Sequence, residues 1–243
     1  MLRKSVQHGV LFCSGLKGVA NMSKIWYLSP SSQSGNIGAA DYGSEKMQMT
    51  LLTDEIVPHL DRAGVSFHRA DEALTLAQRV KESNDMGATF HLALHSNAGG
   101  NGKARGPVAF YYSAVGKDIA EKTVAALLES GQENNRAQNV QQGKFLYELR
   151  HTKAPACLLE VDFHDNPEGV EFLTSRRSDI AKAIAKVIIE ADGKEFVPET
   201  DGEYLDRAVK LGLFPRNTSW SSPLTREEAA ILMVKLYDLL KRG

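Results

Sequence analysis

The sequence predicts an α/β domain: a central mixed, mostly parallel sheet with helices on both faces, plus a small helical appendage at the C-terminus. Strand-like and helix-like patterns alternate from Lys24 to Ala191, which implies a sheet covered on both sides. Two of the strand patterns are apolar runs that end in polar residues able to do metal or acid–base chemistry: Phe90-His-Leu-Ala-Leu-His-Ser-Asn-Ala-Gly-Gly100, and the stretch from Leu149 to Asn166 that contains Ala156 to Phe163. After Ala191 the composition changes, and Asp192 to Gly202 reads as a linker.

The elements follow in order. Lys24 to Ser29 reads as a strand, stopped by Pro30 and a Ser/Gln/Gly/Asn loop. Ser44 to Ala63 reads as a helix, because Met47, Leu51, Leu52, Ile56 and Leu60 recur at helical spacing and Gly64 follows as a cap. Pro58 lies inside it and is expected to kink or split it. Val65 to Arg69 is a short strand, Ala73 to Met86 a second helix, Thr89 to His95 and Pro107 to Ser113 two further strands. Lys117 to Ser130 reads as a helix, and Gln132 to Gly143 as a polar loop. Ala156 to Phe163 is a strand, and Ser178 to Ala191 the last helix of the domain. The division expected is an extension over 1–23, a main domain over 24–191, a linker over 192–202 and a helical segment over 203–243. In that last segment Thr225-Arg-Glu-Glu228 fits a capping box. About 40 residues cannot bury much of a core alone, so the piece must dock on something.

Composition sets bounds. The chain has 243 residues, 42% hydrophobic and 24% charged, enough for one medium core and an appendage. A formal net charge of −1 gives no bulk reason to bind nucleic acid. No run approaches ~18 consecutive apolar residues, so no membrane span is expected. Met1-Leu-Arg-Lys, the weakly apolar Gly9 to Leu16 and Gly18-Val-Ala20 sketch a signal peptide. The apolar part is short and holds two glycines, and Met22 would serve equally as a start. Cys13 and Cys157 do not look like a disulfide; Cys157 reads as a buried thiol within a strand.

Sheets of this kind carry their sites at the carboxyl ends of strands. Four polar clusters fall there: Ser29 to Asn36, Glu45, His95 to Gly100, and Glu160 to Asn166. His95 is the best candidate metal ligand, and Asn97 after it is a candidate substrate contact. His91 shares a strand face with His95 but stands roughly 13 Å away, too far to share one ion, and reads as a core or edge histidine. Glu160 faces away from Cys157, Leu159, Val161 and Phe163. A carboxylate in an apolar strand needs a partner. A histidine ligand and a carboxylate base at two strand ends suggest a zinc hydrolase.

From Lys24 to Glu190 these segments resemble the zinc-dependent N-acetylmuramoyl-L-alanine amidases, which cleave bacterial cell walls. The resemblance implies a zinc site of His, Glu and His with a glutamate base. Glu45, in Tyr42-Gly-Ser-Glu-Lys, matches the ligand glutamate, His95 the second histidine, and Glu160 the catalytic glutamate. Leu149-Arg-His-Thr is similar to a stretch that lines the substrate groove, so Arg150 could meet a carboxylate of the stem peptide. The departure is at the first ligand: where the family has Pro-Gly-His-Gly-Gly, this chain has Ser29-Pro-Ser-Ser-Gln-Ser-Gly-Asn36. Gln33 is the nearest replacement, a weaker zinc ligand than imidazole; Ser32, Asn36, His68, His164 or water are alternatives. Asp206 to Leu213 with Pro223 to Ala230 resembles a single S-layer homology repeat, a type that binds wall polymers.

The function implied is hydrolysis of the amide between N-acetylmuramic acid and L-alanine in peptidoglycan, with glycan strand and stem peptide as partners. The alternative is a non-catalytic wall-binding protein on the same scaffold. No Gly-x-Ser-x-Gly elbow or Gly-rich phosphate loop supports another hydrolase or a transferase. Action at the cell wall is expected, after export or after release at lysis.

Overall fold

The structure is a computed structural model and describes residues 24–99, 101–198, 209, 213, 229–234 and 236. The signal-like extension and Cys13 lie outside the described residues, as does most of the segment that resembles an S-layer homology repeat. Residues 229–234 are helical, with Ile231, Met233 and Val234 exposed.

The elements are β1 (Trp26–Pro30), α1 (Glu45–Arg62), β2 (Phe67–Arg69), α2 (Leu76–Asp85), β3 (Phe90–Asn97) and β4 (Val108–Tyr111). They continue with α3 (Ala114–Glu129), β5 (Val140–Gln142), α4 (Tyr147–His151), β6 (Ala156–Phe163), α5 (Pro167–Ser175) and α6 (Arg177–Ala191). Six strands make one sheet in the order β2-β1-β3-β6-β4-β5. β2, β1, β3 and β6 run parallel, β4 is antiparallel to β6, and β5 is parallel to β4. The mixed, mostly parallel sheet read from the sequence is the one observed.

Strand alternation divides the two faces. Leu92 and Leu94 of β3 and Cys157, Leu159 and Val161 of β6 point into the main core, which Leu52 and Ile56 of α1, Leu127 of α3 and Ile184 and Ile188 of α6 complete. Each fully buried side chain of this kind contributes about 1.5–3 kcal/mol relative to exposure. The opposite face holds a small cluster of Ala93, Leu149, Ala156 and Leu158. His91 and His95 project on that thinner face, with α4 packed on β6 and α2 packed on α4. The thin apolar cover leaves room for polar side chains between sheet and helices.

Pro58 neither splits α1 nor ends it. It is exposed, so the carbonyl of Asp54, which loses its intrahelical donor, can turn to water. Three elements escape the sequence reading. β5 is three residues, Val140-Gln-Gln142, at the sheet edge, inside the stretch read as a loop. α4 has five residues, too few to show a period. α5 has a start legible in sequence: the Asn166 side chain accepts from the Glu168 and Gly169 backbone N–H groups, and Pro167 opens the helix.

Gly169 holds α5 tight against the end of β6. A Cβ there would overlap the backbone carbonyl of Phe163, which cannot move without shifting the strand. Gly169→Ala should therefore lower stability by about 1–3 kcal/mol, read as a fall in the midpoint of thermal unfolding.

Candidate metal and acid–base site

Four chain segments meet at the carboxyl ends of β1, β3 and β6. β3 and β6 lie side by side at the sheet centre, and His95 is paired directly with Glu160. Just past this pair the register shifts, so that Asn97 meets Phe163. The bulged strand carries an extra residue and bends where the polar segments leave the sheet. The loop after β1 is tied to β3 by Ser31 N donating to Leu94 O at 2.8 Å. It then folds over the start of α1, where Glu45 N donates to Asn36 O at 2.9 Å and Lys46 N to Gln33 O at 3.2 Å. Ser44 caps that helix, and Glu45 occupies its first position, where the exposed N–H groups favour an anion.

The side chains converge as follows. Glu45 Oε1 is 2.7 Å from His95 Nδ1. The Gln33 amide nitrogen is 3.3 Å from the same Nδ1. Asn36 Nδ2 donates both to Glu45 Oε2 at 2.6 Å and to Gln33 Oε1 at 2.9 Å. Glu45 and His95 are buried, whereas Gln33 is on the exposed rim. Glu160 Oε2 is buried without a hydrogen-bond partner. On the other edge of the imidazole, Glu148 Oε2 stands 3.8 Å from His95 Nε2.

Electrostatics follow from this packing. Burial alone would lower the pKa of His95, but hydrogen bonding to Glu148 and Glu45 outweighs it and lifts the imidazole to about 10. The ring lies between two carboxylates, one at each nitrogen, and both favour its protonated form. Burial would raise Glu45, yet the hydrogen bond to His95, helped by Ser31 and Asn36, holds it below the ordinary value. Glu148 is also buried, and His91 and His95 together hold it well below the carboxylate range. Glu160 has no such donor. Burial pushes it up to about 7, with the His95 charge opposing the rise and the Glu45 charge adding to it. A carboxyl that titrates near neutrality can both accept and return a proton.

Gln33, Glu45, His95 and Glu160 are thus gathered at one place. Asn97 lies at the end of β3, its side-chain oxygen accepting from Ala98 N at 2.8 Å. Arg150 is exposed on α4, two residues from Glu148. His91 is fully buried and bonds Glu148 Oε1 at 2.8 Å, in keeping with a core histidine. His164 turns to the opposite side, where Nδ1 is 2.9 Å from Ser96 Oγ and the ring stacks on Tyr42. His68 on β2 pairs with Glu82 at 3.2 Å. Cys157 is buried, its thiol pushed up to about 12 by burial alone.

Two residues of the surroundings escaped the sequence reading. Glu148 sits on the short α4, and its bond to His91 spans 57 positions. Arg79 of α2 is buried and donates to the carbonyl of Pro30, bracing the end of β1 just before the Gln33 loop. No local pattern marks either, because each is defined by a partner distant in sequence.

Residues 31–190 match the family model for N-acetylmuramoyl-L-alanine amidase. That stretch is well over half of the chain and contains all four converging side chains. The chain belongs to this amidase family. A curated relative, the N-acetylmuramoyl-L-alanine amidase CwlM of Bacillus licheniformis, is 27% identical over 161 residues, covering 61% of this chain and 60% of the relative. The chain therefore spans about three-fifths of the length of that relative. Among solved structures, the catalytic domain of the amidase CwlV from Bacillus (Paenibacillus) polymyxa var. colistinus superposes with a TM-score of 0.61 at 21% identity, covering 69% of this chain and 97% of that one. The catalytic domain of CD27L, an endolysin targeting Clostridia difficile, superposes with a TM-score of 0.58 at 22% identity, covering 72% and 99%. At these identities the likeness is one of fold, and it extends over nearly the whole of both catalytic domains.

The state of Glu160 has a measurable consequence for stability. Its folded pKa, about 7, lies above the ordinary glutamate value of 4.5. Folding therefore gains from the protonated carboxyl below pH ~4.5, and that gain is lost as pH rises through ~7. Glu160→Gln mimics the protonated form at every pH. In metal-free protein the variant should unfold a few degrees above the unsubstituted chain at pH 8, and at the same temperature at pH 4. Equal midpoints at both pH values would contradict the burial of an unpaired carboxyl.

Proposed function

We propose that the chain hydrolyses the amide bond between N-acetylmuramic acid and the L-alanine of the stem peptide. The observation that carries this reading is the partnerless carboxylate oxygen of Glu160 beside the Glu45–His95 pair. A buried oxygen without a donor costs about 1–3 kcal/mol, more for a charged group, and an attacking water would satisfy it.

Zinc is the cofactor we propose, and the donor set fits it in an altered form. Among the described residues no three His, Cys, Asp or Glu side chains gather as a metal site. Glu45 and His95 supply two ordinary ligands, and the Gln33 amide, already beside His95 Nδ1, supplies a third once its oxygen is turned inward. When bound, the ion would supply Lewis acidity toward the amide carbonyl and the attacking water. The remaining steps belong to the protein. Glu160 takes a proton from water at Oε2 as the water oxygen attacks the lactyl carbonyl carbon. It then returns that proton to the departing alanine nitrogen as the C–N bond breaks, leaving a lactyl carboxyl group and a free amine. Asn97 and Arg150 would contact the substrate, Arg150 pairing with a stem-peptide carboxylate. The site of action would be the cell wall, and the substrate the glycan strand with its stem peptide.

One observation favours a second reading, a wall-binding protein without catalysis. Asn36 donates to Gln33 Oε1, so the amide oxygen faces away from His95 and must give up that bond to reach a metal.

Purified protein incubated with peptidoglycan separates the two. Release of L-alanine amino groups that stops with a zinc chelator, and falls roughly 10²–10⁴-fold in Glu160→Gln, is the expected result. Sedimentation with cell wall but no release, in zinc-supplemented folded protein, would leave the binding reading. Gln33→His should tighten zinc binding, measured by competition with a coloured chelator, because imidazole replaces an amide.

A further inference from the structure

Glu148 is the one buried carboxylate near the site that the proposed chemistry leaves unused. It is 2% exposed and bridges two histidines of β3. Its Oε1 is 2.8 Å from His91 Nε2, and its Oε2 is 3.8 Å from His95 Nε2, an ion-pair distance. His91 is held in turn: Nδ1 is 3.0 Å from Ser83 Oγ, and its ring stacks on Tyr27 with centroids 4.9 Å apart. His91 and His95 share one face of β3, roughly 13 Å apart in Cα spacing, so their facing edges leave room for one carboxylate between them.

Glu148 cannot share an ion with Glu45 at His95, because the two carboxylates stand at opposite ring nitrogens. It cannot serve as the base either, since it is walled in by His91. What remains is orientation. An imidazole can rotate about two bonds, and its two nitrogens differ in use only if something fixes the ring. A carboxylate at the nitrogen away from a metal does this and strengthens the ligand.

We propose that Glu148 is a positioning residue for His95, holding the imidazole with Nδ1 turned toward Glu45 and Gln33, and that Ser83 and His91 form the chain that holds Glu148. The inference that this serves a metal rests on the reading under Proposed function; the orientation of the ring does not.

The test compares Glu148→Gln, which keeps the shape and removes the charge, with Glu148→Asp, which keeps the charge and draws it back from His95. In the full-length metal-free chain at one pH, the ring ¹⁵N resonances of His95 should shift in both variants, with circular dichroism unchanged. Unshifted resonances would overturn the positioning role. In zinc-loaded protein, Glu148→Gln should bind zinc about 10–100-fold more weakly, and the cobalt-substituted form should show a displaced visible band. Zinc affinity equal to that of the unsubstituted chain would overturn the link to the metal. Failure of the unsubstituted chain itself to bind zinc would be failure of the zinc reading, and the ring spectrum would still decide the role of Glu148. If Glu148→Gln does not fold, the same measurements on Glu148→Asp carry the decision.

Discussion

The constraint on which this site depends is charge balance around one buried imidazole. Three carboxylates, Glu45, Glu148 and Glu160, face His95 in a region largely closed to water, and a low-dielectric interior does not tolerate three negative charges. His95 answers two of them, one at each nitrogen. Glu160 is left with no hydrogen bond for one oxygen and is driven toward its protonated form. Under the zinc reading, Glu45 and His95 would hold the ion, and its charge would favour the ionised form of Glu160. The acid–base character of Glu160 is thus a property of the group and not of the residue.

The fold makes that group possible through asymmetry between the two sheet faces. One face has a thick apolar core under α1, α3 and α6; the other has a small cluster around Ala93, Leu149, Ala156 and Leu158 and carries the polar side chains. β3 and β6 lie at the centre of the sheet, so their carboxyl ends are buried on both flanks, and the register pairs His95 with Glu160 directly. The shift in register one step later releases both strands into loops. Those loops and the N-terminus of α1 close the site from above, with Asn36 joining Gln33 to Glu45.

Membership of the amidase family leaves a chemical question at Gln33, where a histidine is expected. In the structure the Gln33 amide nitrogen lies 3.3 Å from His95 Nδ1 and its oxygen accepts from Asn36. A neutral amide adds no charge to a site already rich in carboxylates. On the far side of His95, Glu148 and His91 form a second buried polar pair, 2.8 Å apart. Buried pairs of this sort contribute little net stability and are better understood as fixing geometry.

The sequence by itself determined the class of fold, the order of its main elements and the residues at the ends of β1, β3 and β6. Those follow from periodicity and from apolar runs that stop at polar residues, both of which are local. Glu45, His95, Glu160 and Gln33 were legible because each stands at the edge of a predicted element. The short β5 and α4 were not, since three and five residues are too few for a period to show. Nor was the continuity of α1 through Pro58, which lies on the side of the helix that faces water. Only the tertiary structure decided which nitrogen of His95 meets Glu45, that Glu160 lacks a donor, and that Glu148 lies behind the ring. These are relations between segments tens of residues apart, set by strand register and helix packing, and no pattern within any one segment encodes them.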